Sequence, residues 1–212
     1  MSTAAKVIAR ERIETLLDDN SFVEIGAYVK ARNTDFNIQA KDTPSDGVIT
    51  GYGVINGGLV YVYSQDASVL GGSVGEMHAK KIASLYDMAM KTGSPVIGLI
   101  DSTGLRLQES VDGLNAFGQI YMKQSLASGV IPTVTAIFGN CGGGLSIVAG
   151  LSDFTFMEVE NAQLFVNSPN AITENRKEIC DNASAKFQSE EAGNVDFVGT
   201  EAEVIEGIRN LV

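Results

Sequence analysis

A β-hairpin signal followed by alternating helical and extended patterns constrains the fold of this chain more than any other feature. Residues 48–55 and 59–63 are rich in valine, isoleucine and tyrosine, and Asn56-Gly57-Gly58 separates the two runs. Asn-Gly is the turn whose backbone twist matches that of a two-stranded hairpin. We therefore expect two antiparallel strands here.

Downstream of the hairpin, the apolar residues change to helical spacing. Residues 77–91 have one apolar stripe, and short apolar runs follow at 96–100 and 133–138. A second helical pattern lies between these runs, at 109–128, with these apolar residues on one side: Val111, Leu114, Phe117 and Tyr121. Strands that alternate with helices at this spacing indicate parallel crossover units and an α/β layer fold.

Both ends of the chain predict helices. Near the start, Ser2 or Thr3 can act as the N-cap of a helix. The apolar face of that helix consists of Ile8, Ile13, Leu16 and Leu17. Near the end, Thr200 and Glu203 have the Thr-x-x-Glu spacing of a capping box.

The remaining segments predict shorter elements. Residues 26–46 are polar and mixed and predict a loop or an arm. Small residues at 145–151 predict a short helix, and 154–157 and 164–166 predict short strands. We find no linker, internal repeat or low-complexity segment, and we therefore expect residues 1–212 to form one domain.

The composition argues against several kinds of function. The chain has 212 residues and a formal net charge of −11, which disfavours binding to nucleic-acid phosphates. One histidine, His78, and two cysteines, Cys141 and Cys180, are too few for a zinc cluster or a disulfide framework. No apolar run approaches the ~18 residues of a membrane span, and the first residues lack the pattern of a signal peptide. We therefore expect a cytoplasmic protein without a membrane span.

The first candidate site is the glycine run Gly142-Gly143-Gly144, which follows an extended run and opens a helix. Backbone N–H groups at the start of a helix have no intrahelical partner and carry partial positive charge. Glycine lets an oxygen atom approach them, so the run can bind a phosphate or stabilise an oxyanion. Tight packing of the helix against the strand explains a glycine run equally well. The spacing matches neither GxGxxG nor a P-loop.

The second candidate is the segment 101–109, which leaves one apolar run and enters the next helix. Loops at the carboxyl ends of adjacent parallel strands lie at one edge of the sheet, where ligands bind. We expect this segment to face the glycine run, with a backbone amide near Gly104-Leu105 as a second donor to the same oxygen. The alternative is a capped helix start in which Arg106 and Glu109 pair in solvent.

A third motif, Gly71-Gly72-Ser73-Val74-Gly75, matches the Gly-x-Ser-x-Gly nucleophile elbow of hydrolases. The elbow requires a sharp strand-to-helix turn, whereas about seven residues separate Ser73 from the preceding strand. His78 is too close in sequence to reach round to Ser73 with an acid behind it. We therefore interpret the motif as a flexible loop, His78 as a solvated helix residue and Cys141 as a packing residue.

Several motifs together resemble one enzyme family. In chain order they are Gly71-Gly72-Ser73-Val74-Gly75-Glu76, Asp101-Ser102-Thr103-Gly104-Leu105-Arg106, Ala127-Ser128-Gly129-Val130-Ile131-Pro132, Gly139-Asn140-Cys141-Gly142-Gly143-Gly144 and Asn167-Ser168-Pro169. This order resembles the carboxyltransferase subunits of biotin-dependent acyl-CoA carboxylases, of the propionyl-CoA carboxylase beta type, and of biotin-dependent decarboxylases. The resemblance covers nearly the whole chain.

The resemblance implies a crotonase-like α/β fold, a β-β-α spiral. The chain is similar to the N-terminal half of the family's subunit, which mainly holds the acyl-CoA, whereas the C-terminal half mainly holds carboxybiotin. The implied reaction is carboxyl transfer between carboxybiotin and a short-chain acyl-CoA, with coenzyme A thioester as substrate and biotin on a separate carrier. The implied partners are the C-terminal half, the biotin carboxyl carrier protein, biotin carboxylase or decarboxylase subunits, and further copies of the chain.

The resemblance also assigns residues to the site. The amides of Gly143 or Gly144, and of Leu105 or Gly104, would form an oxyanion hole for the enolate, while the biotin nitrogen takes the proton. Contacts to coenzyme A would come from Arg106, Ser73, Gly72 and Lys81. Leu105 stands where the family commonly has alanine, and its larger side chain can alter the acyl pocket.

Two other functions stay open from the sequence. One is a self-contained crotonase-type acyl-CoA hydrolase or isomerase. Ser146 stands where hydratases of the wider superfamily have glutamate, which disfavours water addition to an enoyl-CoA. The other is a non-catalytic half that serves assembly of the complex.

Overall fold

The computed structural model describes residues 9–34, 42–169 and 181–212, and within these ranges it contains six α-helices and eight strands. The predicted N-cap residues Ser2 and Thr3, together with Ile8 and Cys180, lie outside the described residues. None of the described helices has the length and apolar character needed to cross a bilayer.

The predicted hairpin is confirmed. Strands β2 (Val48–Ile55) and β3 (Gly58–Gln65) pair antiparallel, and the short strand β1 (Val23–Ile25) pairs antiparallel with β2. At the turn, Asn56 and Gly57 have φ angles of 51° and 85°. Positive φ at both central residues is what a tight hairpin turn requires, and Asn and Gly adopt it most readily.

The predicted alternation of helices and strands is also confirmed. After the hairpin the chain forms α2 (Glu76–Thr92), β4 (Val96–Ser102), α3 (Ser110–Ala127), β5 (Thr133–Gly142) and α4 (Gly144–Gly150). Helix α2 buries its predicted stripe, which consists of Ile82, Leu85, Tyr86 and Ala89. Gly93 ends this helix with a φ of 69°, a left-handed conformation that glycine adopts without steric cost.

The ends of the described chain contribute the other elements. They are α1 (Ala9–Leu16), β6 (Phe154–Glu158), β7 (Gln163–Phe165), α5 (Ala185–Glu190), β8 (Phe197–Gly199) and α6 (Glu201–Leu211). The predicted capping box at the start of α6 is present, because the side chains of Thr200 and Glu203 bond each other's backbone N–H groups. The predicted polar arm contains a short 3₁₀ turn at Pro44–Gly47.

One mixed sheet organises the molecule. Its strand order is β1-β2-β3-β4-β5-β6-β8, and the strands from β3 onwards run parallel. Strand β5 pairs with β6 through Val134–Ile137 and with β7 through Asn140–Gly142. The sheet therefore branches at β5, and the branch lies at the end that enters the glycine run.

Helices cover both faces of the sheet, so the strands are buried on both sides. Tyr61 and Tyr63 of β3 belong to the core beneath α2, α3 and α4. Val60 and Val62 of the same strand belong to the core beneath α1 and α6. This alternation places β4 and β5 in the middle of a three-layer structure.

Helix α3 differs from the sequence expectation. Of the four apolar residues predicted on one side, Phe117 is buried, whereas Val111 and Leu114 are 72% and 60% exposed. The buried side instead consists of Gly113, Ala116, Phe117, Ile120, Gln124 and Ala127. Apolar residues lie on both sides of this helix, so their periodicity does not identify the side that packs on the sheet.

Candidate functional site

The two predicted loops meet at the carboxyl edge of the sheet. Strands β4 and β5 are adjacent and parallel, and Ser102 pairs with Cys141 at their ends. A Cβ atom on Gly104 would lie 3.4 Å from the carbonyl oxygen of Gly142. The expectation that the segment 101–109 faces the glycine run is therefore confirmed.

The three glycines of the run have different roles. A Cβ on Gly142 would lie 2.4 Å from the Phe165 ring, and one on Gly144 would lie 2.7 Å from the Tyr121 hydroxyl oxygen. These two glycines allow close packing. Gly143 has φ 60° and ψ −126°, and a Cβ there would meet no atom within 4 Å. Gly143 therefore provides a backbone conformation that other residues rarely adopt, beside open space.

The structure separates the four amides proposed for the oxyanion hole into two pairs. The Gly143 N–H donates to the carbonyl of Phe165 at 3.0 Å. The Gly104 N–H donates to the hydroxyl of Ser102, also at 3.0 Å. These two amides are therefore occupied by bonds that hold the loops in place.

The other two amides, of Leu105 and Gly144, have no hydrogen-bond partner among the described residues. Leu105 forms a parallel bridge with Val74 that uses the carbonyl of Gly104 and the N–H of Arg106. The Leu105 N–H therefore points to the other side of the strand. Gly144 is the first residue of α4, where an N–H has no intrahelical acceptor.

Tyr121 supports the glycine run and was not singled out as a site residue by sequence reasoning. Its hydroxyl donates to the carbonyl oxygen of Gly144 at 2.7 Å. Burial raises the pKa of this phenol, so it stays a donor. The spacing of Phe117 and Tyr121 indicates a shared helix side, but nothing in the sequence places that side beside the glycine run.

Arg106 is 1% exposed, so the alternative of an ion pair with Glu109 in solvent is wrong, and the pair belongs to a buried cluster. Its guanidinium bonds Asp46 Oδ1 at 2.5 Å and Glu109 Oε1 at 2.9 Å through Nη1. Nε donates to the hydroxyl of Ser73, and Nη2 donates to the carbonyls of Ser73 and Asp46. All five donors of the guanidinium are thus directed at protein acceptors, which leaves none for a phosphate.

The same two carboxylates cap helix α2. The N-cap residue Gly75 has no side chain, and the N–H groups of Glu76 and His78 instead donate to Glu109 at 2.6 Å and to Asp46 at 2.7 Å. Burial raises the pKa of Asp46, while the Arg106 cation acts in the opposite direction. The cluster therefore ties the turn Pro44–Gly47, the start of α2 and the segment 101–109 together.

The interpretation of His78 as a solvated residue is wrong, because its side chain is fully buried. Nδ1 lies 3.0 Å from the Asp46 carbonyl oxygen and Nε2 lies 3.1 Å from Gln65 Nε2. This network assigns the proton to Nδ1 and makes Nε2 an acceptor. Burial, followed by the Arg106 charge, lowers the pKa of His78 to about 3. His78 is therefore a neutral structural residue.

The other residues assigned to coenzyme A also form contacts within the protein. Lys81 donates through Nζ to the carbonyls of Ser45, at 2.9 Å, and Val48. Burial lowers the pKa of Lys81 to about 8. A Cβ on Gly72 would lie 2.4 Å from the Asp101 carbonyl, so this glycine permits close packing of its loop on β4.

Leu105 and Cys141 contribute to packing around the donors. A Cβ on Gly113 would lie 2.9 Å from Leu105 Cδ1, so the leucine side chain lies against α3 at a glycine. The absence of a side chain at Gly113 thus accommodates the larger residue. Cys141 is fully buried and its pKa is raised by burial to about 12, which agrees with the packing interpretation.

Comparison with known proteins identifies the family. Residues 2–212 match the carboxyl transferase domain. The chain belongs to the carboxyl transferase domain family. This carboxyl transferase domain is 47% identical, over 169 residues, to methylmalonyl-CoA decarboxylase subunit alpha of Propionigenium modestum, a match that covers 80% of this chain and 33% of the relative. It is 48% identical to propionyl-CoA carboxylase beta chain of Roseobacter denitrificans, with 79% of this chain and 33% of the relative covered.

Solved structures support the same assignment. The transcarboxylase 12S hexamer with hydrolysed methylmalonyl-coenzyme A bound matches with a TM-score of 0.91 and 36% identity, over 97% of this chain and 41% of that chain. A Pseudomonas malonate decarboxylase hetero-tetramer in complex with malonate matches with a TM-score of 0.83 and 26% identity, over 97% of this chain and 80% of that chain. The crotonase-like α/β fold is thereby confirmed. The carboxyl transferase domain spans about a third of the length of these two curated relatives.

Proposed function

We propose that residues 1–212 form the acyl-CoA-binding half of a biotin-dependent carboxyltransferase site, completed by a C-terminal carboxyltransferase half. One observation carries the proposal. The N–H groups of Leu105 and Gly144 have no partner among the described residues, and they lie on two loops that meet at one edge of the sheet. Two such donors suit a thioester oxygen that becomes negative when the neighbouring carbon loses a proton.

The bonds of the neighbouring amides make this donor pair rigid. Gly143 is held by Phe165, Gly104 is held by Ser102, and Tyr121 holds the carbonyl of Gly144. Donors that are fixed before the reaction stabilise developing charge without reorganisation, and loss of one such donor typically costs about 10²–10³ in rate.

In the carboxylating direction, biotin on a separate carrier protein would supply the carboxyl group and take the proton from the acyl carbon. In the decarboxylating direction, it would accept the carboxyl group and its ring nitrogen would return a proton to the acyl carbon. The backbone N–H groups of Leu105 and Gly144 fit a mechanism in which biotin moves the proton, because neutral N–H groups stabilise an oxyanion without exchanging protons. His78 and Arg106 are bound within the protein, which supports a role for backbone rather than side-chain groups in this half.

The direction of carboxyl transfer and the partners are proposed from the similarity to the relatives. The matched relatives are named as a carboxylase and as a decarboxylase, and the proposal covers both directions. The Pseudomonas malonate decarboxylase chain, of which 80% is covered, belongs to a hetero-tetramer. This similarity supports a site that is completed by another carboxyltransferase chain, with a biotin carrier and carboxylase or decarboxylase subunits in the full complex.

Isothermal titration of the chain with acetyl-, propionyl- and malonyl-CoA tests the proposal. S-propyl-CoA, a thioether without the carbonyl oxygen, is the matched control ligand. We expect at least one thioester to bind ~10-fold or more tightly than the thioether, since ~1.4 kcal/mol corresponds to a factor of ten. Failure of every CoA ester to bind would refute the CoA assignment. Equal affinity for thioester and thioether would refute the oxyanion hole alone. Thioester cleavage by the chain by itself would favour a hydrolase.

A further inference from the structure

The register between strands β4 and β5 shifts just before the two loops of the proposed oxyanion hole. Ile100 pairs with Ile137, whereas Ser102 pairs with Cys141. One residue of β4, Asp101, therefore lies opposite three residues of β5. The two extra residues form a bulge, and they carry the end of β5 to its position beside the loop that follows β4. Bulges redirect a strand and are common next to functional sites.

The side chain of Asp101 fills the space at this bulge. A Cβ atom on Gly139, in the middle of the bulge, would overlap the Asp101 carboxylate and would lie 2.7 Å from its Cγ. The three atoms closest to such a Cβ would all belong to this carboxylate. The φ angle of Gly139 is not positive, so its backbone conformation does not require glycine. The absence of a side chain at Gly139 therefore serves to admit the carboxylate.

Arg12 of helix α1 holds both strands where their register shifts. Its side chain is buried, and its Nη1 donates to Asp101 Oδ2 at 3.3 Å. Its Nε donates to Glu201 Oε1, at the start of α6, at 3.0 Å. The guanidinium carbon lies 4.7 Å from the centroid of the Phe138 ring, which is a cation–π contact. Because Phe138 is the first residue of the bulge, Arg12 connects the bulge to the carboxylate that fills it.

This contact lies on the face of the sheet that is opposite helices α2, α3 and α4. Leu99 belongs to the core beneath α1 and α6, and side chains two residues apart on a strand point to the same face. Asp101 therefore points towards α1 and α6. Tyr121, which holds the carbonyl of Gly144, packs on the other core. The loops are thus supported from both faces of the sheet.

We propose that Arg12 and Asp101 are positioning residues of the oxyanion hole. The Asp101 carboxylate fixes the register at the bulge, and this register sets the separation of the N–H groups of Leu105 and Gly144. Arg12 holds the carboxylate in place, and both side chains act through the backbone without contact to the thioester. The role in ligand recognition rests on the proposed function, whereas the effect of Asp101 on the register is a property of the protein alone.

NMR spectroscopy of the full chain without ligand tests the register. Backbone NOEs between Ser102 and Cys141 report their pairing. We expect these NOEs in the wild-type chain and their loss in Asp101→Ala, because the bulge is then no longer filled. Asp101→Asn keeps the shape and an oxygen acceptor for the guanidinium, and should retain them. The matched control is Asp18→Asn, which weakens the ion pair with Arg209 at the other end of α6 and should also retain them. Unchanged NOEs in Asp101→Ala would overturn the proposal.

Isothermal titration with propionyl-CoA and S-propyl-CoA tests the role in recognition. We expect Asp101→Ala to reduce the preference for the thioester from ~10-fold towards one, with the affinity for the thioether unchanged. A general loss of structure would weaken both ligands equally, and that result, or an unchanged preference after loss of the register, would contradict the positioning role. Gly139→Ala displaces the carboxylate without removing a charge, so it is the second variant if Asp101→Ala does not fold.

The wild-type chain separates this inference from the proposed function. A wild-type chain that binds both ligands equally would refute the oxyanion hole, and the NOEs would then decide by themselves whether Asp101 fixes the register. A wild-type preference that is lost in Asp101→Ala and retained in Asp18→Asn would support both.

Discussion

Leu105 and Arg106 are neighbours in the chain, yet their polar groups differ in whether they hydrogen-bond within the protein. The N–H of Leu105 has no partner among the described residues and belongs to the open edge of the sheet. The guanidinium of Arg106 is buried and all its donors are used. Under the proposed function, the backbone recognises the ligand, while charged side chains fix that backbone in position.

Replacement of Arg106 has the largest expected effect, and it tests whether charged side chains hold the backbone in position. Arg106→Met leaves the buried carboxylates of Asp46 and Glu109 without their cation, and we expect a loss of about 3–5 kcal/mol in the free energy of unfolding. Urea unfolding followed by circular dichroism measures it. Lys30→Met, which removes the exposed pair with Asp42, is the control and should change little. A stable Arg106→Met that loses affinity for CoA would make Arg106 a ligand contact instead.

A matched pair of glycine substitutions tests whether the backbone at the glycine run recognises the ligand. Neither Gly143 nor Gly150 has an atom within 4 Å of an added Cβ, but only Gly143 has a positive φ. We expect Gly143→Ala to cost about 1–3 kcal/mol in stability through backbone strain and to reduce the preference for thioester over thioether ligands. Gly150→Ala should leave both thermal unfolding and ligand titration close to wild type. Equal behaviour of the two variants would show that the conformation of Gly143 is not required.

The pH dependence of stability tests whether the supporting cluster is as buried as the geometry indicates. The pKa of His78 is about 3 in the folded protein and 6.5 in its ordinary state. Between these values the unfolded chain binds a proton that the folded chain does not, so stability falls as the pH is lowered from 6.5 towards 3. The contribution is ~1.4 kcal/mol per pH unit.

His78→Gln should remove this component from urea-unfolding curves recorded at several pH values. Because the chain has one histidine, its imidazole signals in NMR spectra need no further assignment. We expect them to stay in the neutral form down to about pH 4. Titration near pH 6.5 in the folded protein would contradict the buried neutral state.

The smallest expected effect concerns the contact between Leu105 and Gly113. Gly113→Ala would place a methyl group 2.9 Å from Leu105 Cδ1, and we expect it to cost about 1–2 kcal/mol. In a Leu105→Ala background the cost should fall by about 1 kcal/mol, because the clash is removed. An additive double mutant, measured by chemical denaturation, would show that the two residues do not compensate each other.

Sequence patterns predict the elements of this fold well where the periodicity has one interpretation. The hairpin at Asn56-Gly57, the buried stripe of α2 and the capping box of α6 all depend on residues close together in the chain. The meeting of the two loops is also predictable, because adjacent parallel strands end at one edge. The family resemblance adds the assignment of the donor loops, and the structure then distinguishes Leu105 and Gly144 from Gly104 and Gly143.

Contacts between distant parts of the chain explain what the sequence does not predict. The main partner of Arg106 is Asp46, sixty residues earlier, and no local pattern links them. His78 is buried for the same reason, since it packs against that turn. Helix α3 has apolar residues on its exposed side as well as on its buried side. Its periodicity therefore indicates two possible buried faces, and only the position of the sheet decides between them.

The branch of the sheet at β5 has a consequence for the energetics of ligand binding. The strand that ends in the glycine run is paired with β4, β6 and β7, so its donors are in register only when most of the sheet is folded. The proposed thioester ligand would bind the native state and not partially unfolded forms. Occupancy of the donor loops should therefore be coupled to global unfolding, and a saturating thioester should raise the melting temperature of the whole domain.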